Sequence, residues 1–286
     1  MVNEGSAIIV QGGGTRGIFG AGVLDAMMDA NMDFSCIIGT SAGALAAYNY
    51  VAGCRGRARE FIMECMQGKE FASLGNLVKK GTYFNFEYMF NEVPKTLPID
   101  MEYFRANPIK FYCGTTGVFD GKAHYFEKSE PYFDNAIAAS SSLPLISSPV
   151  EVDGKFYLDG AGTCGIPFQK ALDEGYSKIV VVLTRARDYR KKKVSGSKAV
   201  AFKAMYRKNK EYLQCCLNGG ESYNEEMRRV FELEKEGRAF VICPEIPPKV
   251  GRKERDKKKL DELYHQGYDI AMKLMPELKR FLGVDQ

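Results

Sequence analysis

Histidine is scarce in this chain of 286 residues: only two are present, His124 and His265, so a histidine-based catalytic centre has little to draw on. The eight cysteines form no C-x-x-C pair, which removes the usual zinc-ribbon and dithiol redox motifs. Cys36, Cys113 and Cys243 sit inside apolar runs, as reduced and buried thiols do in a reducing compartment, and the adjacent Cys215 and Cys216 read as helix packing. Long apolar stretches are also missing; none approaches the roughly 18 residues that a membrane span needs. Met1 to Gly5 leads into the first strand without a basic n-region, so the expectation is a cytoplasmic protein without a cleaved export signal. No Pro/Ser-rich linker and no internal repeat divides the chain, and 45% of its residues are hydrophobic. Residues 1–286 are therefore expected to form one domain, with a core over about 5–185 and a helical C-terminal extension over about 195–286.

The formal net charge is only +4, but it is unevenly spread. Arg185 to Lys210 carries about ten basic residues against one acidic residue, Asp188, and Arg252 to Lys259 adds a second cluster. A solvated loop and helix face is the plain account of such a run; peripheral contact with an anionic membrane is the functional one. Nucleic acid is not an expected partner. Aromatics are not interleaved with the basic run, and no helix-turn-helix, RNA-recognition or zinc-finger pattern appears.

What is present starts at the N-terminus. A strand over Ala7 to Gln11, a glycine loop, a helix over Ile18 to Asn31 and a strand over Phe34 to Gly39 lead into a second, alanine-rich helix. The strands are continuous apolar runs, the pattern of a sheet buried on both faces by helices. Further strands are expected at Ile109 to Val118, Ala123 to Glu127, Lys178 to Thr184 and Ala239 to Cys243, with a hairpin over Val150 to Leu158 turning at Asp153-Gly154. The fold class is α/β with a mainly parallel central sheet. Leu260 to Phe281 is amphipathic, with Leu263, Tyr264, Ile270, Leu274 and Leu278 on or near one face.

The second strand runs into Gly39-Thr40-Ser41-Ala42-Gly43, a G-x-S-x-G pentapeptide. The pattern arises by chance in roughly one chain in ten of this length, so its context carries the argument. Here it joins a strand to a helix. A sharp strand-turn-helix elbow is strained, and the flanking glycines give the backbone room to double back while the serine Oγ is presented at the helix N-terminus. Ser41 is the candidate nucleophile, and the plain alternative is a structural tight turn.

Between the first strand and the first helix, Gly12-Gly13-Gly14-Thr15-Arg16-Gly17 satisfies the G-x-G-x-x-G dinucleotide fingerprint. A nucleotide site also needs an acid at the end of the second strand, and that strand ends in Gly39-Thr40. The same loop suits acyl transfer. Successive glycines let backbone N–H groups converge on an oxyanion, and Arg16 adds charge or braces the loop.

A serine hydroxyl needs a base. His265 follows Ser41 and Asp159 in the chain order of an ordinary α/β-hydrolase triad, but it lies within a periodic helix; His124 alternates along a strand as a half-exposed residue would. Asp159, in Leu158-Asp159-Gly160-Ala161-Gly162, stands at a strand end before small residues that let it approach another loop. A partly desolvated aspartate beside a positioned hydroxyl can accept its proton as the new C–O bond forms. The plain alternative is an Asp-Gly turn.

Taken in order and at these separations, Gly12 to Gly17, Gly39 to Gly43 and Asp159-Gly160-Ala161 resemble the patatin-like phospholipases, in particular bacterial cytoplasmic members. Ala138 to Pro144 with Pro149, and Cys243-Pro244 followed by Leu263-Tyr264-Gly267, extend the resemblance over most of the chain. It implies a three-layer α/β/α fold and a Ser41–Asp159 dyad in which Gly12, Gly13, Gly14, Arg16 and Gly17 form the oxyanion hole and Gly39, Thr40, Ala42 and Gly43 the nucleophile elbow. The implied activity is hydrolysis of lipid acyl esters, of phospholipase A or lysophospholipase type, with no metal or other cofactor. Alanine at 161 is a variant that the family also uses. The rival readings are a lipid-sensing module without turnover and a nucleotide-binding protein using the Gly12–Gly17 loop. Phe71 to Phe104, rich in Phe, Tyr and Met, is expected to line an acyl pocket, to act as a lid or to pack as ordinary core.

Overall fold

Alternation along the first strand organises the molecule: Ile8 and Val10 join one buried apolar cluster and Ala7 and Ile9 the other, so the strand is covered on both faces. The structure, a computed structural model, describes residues 2–65 and 67–284. Its strands are β1 (Val2–Val10), β2 (Asp33–Thr40), β3 (Lys110–Gly117), β4 (Ala123–Glu127), β5 (Val150–Val152), β6 (Lys155–Asp159), β7 (Lys178–Val182) and β8 (Ala239–Ile242). All belong to one sheet. β5, β6, β3, β2, β1, β7 and β8 follow in hydrogen-bonded succession, with β4 also paired to β3. The pairs β8–β7, β7–β1, β1–β2 and β2–β3 are parallel, whereas β4, β5 and β6 join antiparallel. The expected strands are thus present, and the β5–β6 hairpin turns at Asp153 and Gly154, both at positive φ.

The helices are α1 (Gly17–Asp29), α2 (Ala42–Val51), α3 (Arg57–Glu60), α4 (Leu74–Lys80), α5 (Phe86–Asn91), α6 (Val93–Thr96), α7 (Met101–Ala106), α8 (Phe133–Ser140), α9 (Phe168–Asp173), α10 (Gly196–Met205), α11 (Lys210–Lys235) and α12 (Lys257–Leu282). α1, α2, α8 and α12 bury side chains with Ile8, Val10 and Ile37 on one face of the sheet, and α9 and α11 do so with Ile9, Ile38 and Val181 on the other. The architecture is three-layer α/β/α with a mainly parallel sheet. No helix among the described residues is long and apolar enough to cross a membrane.

The C-terminal third is built into this frame. β8 extends the sheet beside β7, and α12 lies along α1, where the buried Tyr264 hydroxyl donates to Asp25 Oδ2 at 2.7 Å.

The strand registers bring the site together. Tyr112 and Cys113 each pair with both β2 and β4, while Thr115 and Thr116 each pair with both β4 and β6. β4 therefore occupies one edge of β3, and β2 and β6 divide the other edge between them. β2 ends with Thr40 opposite Gly114; one residue further along β3, Asp159 of β6 stands opposite Thr115. The residue after Thr40 and the last residue of β6 are thus neighbours, although 118 positions separate them.

Candidate active site

Ser41 takes φ 56° and ψ −128°, a left-handed backbone that is costly for a residue with a Cβ and is held by its surroundings. Its N–H donates to Ser140 Oγ at 2.8 Å, and Ser140 Oγ in turn donates to the Gly114 carbonyl at 2.7 Å. Thr40 Oγ1 donates to the Cys164 carbonyl at 2.7 Å, anchoring the other side. The elbow also leaves no space at Gly43, where an added Cβ would lie 2.2 Å from the Val10 carbonyl oxygen. Gly39 and Thr40 end β2 and Ala42 and Gly43 begin α2, so Ser41 stands at the junction of strand and helix.

Ser41 Oγ donates a 2.7 Å hydrogen bond to Asp159 Oδ2. The other carboxylate oxygen of Asp159 accepts the Ala161 N–H at 2.8 Å. Its backbone is gripped as well: the N–H donates to the Ser142 carbonyl at 2.9 Å, and Thr116 Oγ1 donates to its carbonyl at 3.0 Å. Asp159 is buried, and burial raises its pKa above the ordinary carboxylate value; the bonds from Ala161 and Ser41 and the charges of Arg252 and Lys191 oppose the rise. A buried carboxylate that resists ionisation is a stronger base than a solvated one.

The glycine loop lies against this pair. An added Cβ at Gly12 would meet the Thr40 carbonyl oxygen at 2.7 Å and Ser41 Cβ at 2.9 Å, so only glycine lets the loop approach the serine this closely. Gly12, Gly13 and Gly14 border the same cavity as Ser41 and Asp159. No acceptor among the described residues takes the N–H of Gly12 or Gly13. Gly17 differs: its N–H is taken up by the carbonyls of Gly14 and Thr15, and its Cα faces Ala42 at packing distance. Its amide is thus engaged within the loop, unlike those of Gly12 and Gly13. Arg16 is 4% exposed and donates from Nη1 to the Val250 carbonyl at 3.2 Å. The segment after β8 is stitched over the loop by that bond and by Thr15, whose N–H donates to the Arg252 carbonyl and whose Oγ1 donates to that of Gly251.

Neither histidine borders the cavities at Ser41. His124 Nε2 lies 2.9 Å from Asp120 Oδ2, half-exposed on β4, and the exposed His265 on α12 is 3.7 Å from Asp261.

Two unlike cavities meet at Ser41. One is mainly apolar, bordered by Ala42, Leu45, Ala46, Phe61, Phe71 and Phe84, with Arg252 and Lys253 also on its border. The Phe71 to Phe104 segment therefore divides: Phe71, Phe84 and Phe86 border this cavity, Met89, Phe90 and Met101 border an adjoining one, and Phe104 packs on Phe111 and Phe133. The other cavity has four cationic side chains on its border, Arg16, Arg185, Lys191 and Arg252. The basic run is thus not a solvated face throughout. Arg185 and Lys191 turn inward, whereas Arg187 pairs with Glu234 at 2.6 Å and Lys193 with Glu221 at 3.5 Å on the surface. Arg185, Lys191, Arg252 and the elbow-bracing Ser140 were not recognised as site residues from sequence. The charge clusters marked the first three only as surface, and no local signal marks Ser140.

Fold and site together define an α/β protein of the serine-elbow type, with an aspartate in hydrogen-bond contact where other such proteins have a histidine. The family model for patatin-like phospholipases matches residues 8–172, and the chain belongs to that family. A second family model, a domain of unknown function designated DUF6363, matches residues 209–283. The uncharacterized protein YjjU of Escherichia coli strain K12 is 32% identical over 184 residues, covering 62% of this chain and 51% of that protein. Lysophospholipase NTE1 of Scheffersomyces stipitis is 27% identical over 289 residues, covering 95% of this chain and 18% of its own length. Among solved structures, VipD from Legionella pneumophila aligns with a TM-score of 0.49 and 12% identity over 95% of this chain and 66% of VipD. The chain spans about half the length of the first of these relatives and less than a fifth of the second.

Proposed function

We propose that this protein hydrolyses acyl esters of lipids, as a phospholipase A or lysophospholipase, through a Ser41–Asp159 dyad. The observation that carries the reading is the 2.7 Å bond from Ser41 Oγ to a buried carboxylate, set beside free loop amides and at the head of an apolar cavity. Family membership and the lysophospholipase name of one relative support it.

The chemistry follows from the atoms. Ser41 Oγ attacks the ester carbonyl carbon while its proton passes to Asp159 Oδ2. The carbonyl oxygen becomes an oxyanion, for which the N–H groups of Gly12 and Gly13, with Gly14, are the donors. Collapse expels the alcohol, which takes the proton from Asp159 and leaves an acyl-serine. Water then repeats the sequence, with Asp159 again as base. The raised pKa suits both steps, because the same group must accept a proton and return it.

The segments over about 5–185 and about 195–286 are read as one domain, since β8 completes the sheet and the stretch after it covers the glycine loop. Peripheral contact with an anionic membrane is assigned to the outward part of the basic run, where Lys203, Arg207 and Lys208 are exposed beside Val200 and Met205, which are 66% and 55% exposed.

The test is hydrolysis of p-nitrophenyl esters of graded chain length, then of phospholipids and lysophospholipids, with labelling of Ser41 by a fluorophosphonate located by mass spectrometry. Turnover with label on Ser41 is expected. Lipid binding without turnover or label would instead favour a sensing module.

A further inference from the structure

Four cations gather round one cavity beside Ser41 without a direct ion pair among them. Several arginines elsewhere meet carboxylates in pairs, as Arg55 with Asp29 at 2.7 Å and Arg187 with Glu234 at 2.6 Å. Arg16, Arg185, Lys191 and Arg252 border one cavity, yet among the described residues none of them has a carboxylate within ion-pair distance. The two acids close by, Asp159 and Glu226, act on Lys191 only through space and make their hydrogen bonds elsewhere: Asp159 with Ser41 and Ala161, Glu226 with the Ile166 N–H at 3.1 Å. Arg16, 4% exposed, has a buried Nε without a hydrogen-bond partner.

The cluster is also held in place. The Arg185 guanidinium lies 4.1 Å from the centre of the Tyr189 ring, and Lys191 Nζ lies 3.9 Å from that of Tyr223. Lys191 is fixed through its backbone too, donating to Asn224 Oδ1 at 2.8 Å and accepting from Asn224 Nδ2 at 3.0 Å. Burial, with mutual repulsion second to it, disfavours the charged forms of Arg16 and Lys191. Burial, then Arg185 and Arg252, lower the Arg16 pKa to about 10; burial and then Arg252 lower that of Lys191, against the opposing charges of Glu226 and Asp159. A doubly charged anion would offset the repulsion between them.

We propose that this cation-bordered cavity is a subsite for a phosphate carried by the substrate, held by Arg185, Lys191 and Arg252 above the buried Arg16, so that the enzyme prefers anionic acyl glycerophosphates to neutral glycerides. The proposal rests on the acyl-hydrolase reading of Ser41. It follows from the placement of the serine between an apolar cavity for the chain and a cationic one for the head group. Guanidinium groups match phosphate oxygens in geometry as well as in charge.

Two measurements decide it. The first compares oleoyl-glycerol 3-phosphate with oleoyl-glycerol in neutral detergent micelles. Wild type is expected to favour the phosphate ester by ten-fold or more in kcat/KM, mostly through KM. That ratio should fall toward one in Arg185→Gln and in Lys191→Gln and return in Lys191→Arg. The second is calorimetric titration of Ser41→Ala with glycerol 3-phosphate and with inorganic phosphate, repeated after adding Arg185→Gln, with circular dichroism as the check on folding. Binding of glycerol 3-phosphate that is lost with Arg185→Gln supports the subsite even if neither lipid is turned over, an outcome that would count against the hydrolase reading alone. Absence of binding to either phosphate, or equal kcat/KM for the two lipids, overturns the subsite. Inorganic phosphate binding without any lipid preference also overturns it, because the cavity would then serve free phosphate.

Discussion

The two walls around Ser41 differ in origin. The apolar wall comes largely from one stretch of chain, Ala42 to Phe86, in which the helix that follows the elbow and the segments after it fold back on themselves. The cationic wall is assembled from distant pieces: Arg16 in the glycine loop, Arg185 and Lys191 beyond β7, and Arg252 beyond β8. A wall built from neighbours needs only apolar residues at helical spacing, since burial is not directional. A wall of like charges resists assembly and persists only where the scaffold imposes it. The contrast teaches that the apolar side is generic to a packed core, while the cationic side is a specific construction of this fold.

The largest effect should come from the point where the walls meet. Ser41→Ala and Asp159→Asn are each expected to lower esterase kcat by about three orders of magnitude or more, with the double variant scarcely worse than either, because the two act as one unit. Retention of most activity by Asp159→Asn would remove the dyad and leave both walls without a common reaction. The outward basic residues come next. Glutamine at Lys203, Arg207 and Lys208 together should weaken co-sedimentation with anionic vesicles by up to about 3 kcal/mol, at about 1 kcal/mol per charge near the surface, and added salt should mimic the change. Equal binding to neutral vesicles would confine the role of the basic run to the inward cations.

The apolar wall is sharpened by Ala46→Leu. Filling the cavity should cut kcat/KM for long-chain p-nitrophenyl esters about ten-fold relative to butyrate, as expected for a pocket that loses room for about a methylene or more. An unchanged chain-length profile would place the acyl group elsewhere.

Asp159 provides a pH test with a defined sign. Its pKa is raised by burial, so the acid limb of kcat/KM on a neutral ester should lie above the ordinary aspartate range. A folded-state pKa above the unfolded one makes the carboxylate's contribution to stability complete in acid and lost as pH rises through the folded value. Asp159→Asn should therefore melt at a higher temperature than wild type near neutral and alkaline pH, with the gap closing in acid. A lower Tm for the variant at every pH would show that the carboxylate's hydrogen bonds outweigh its desolvation. The smallest effect is expected for His265→Gln, within a few-fold of wild-type turnover, since the residue is exposed on α12 and borders neither wall. A thousand-fold loss with the fold intact would restore a histidine triad.

The parallel sheet, the elbow at Ser41, the glycine loop and the strand-end position of Asp159 were legible in the sequence because each is a local consequence of residue type. Buried strands read as apolar runs, and tight turns read as glycine beside small polar residues. Only the tertiary structure decided that β2 and β6 divide one edge of β3 and so set Ser41 against Asp159. It likewise decided that Ser140 braces the elbow, that Gly17 packs while Gly12 and Gly13 keep their amides free, and that part of a run of surface-like basic residues turns inward. Composition reports how much charge a segment carries. Its direction depends on what the rest of the chain places beside it, here the rings of Tyr189 and Tyr223 and the side chain of Asn224, and that is information no local pattern contains.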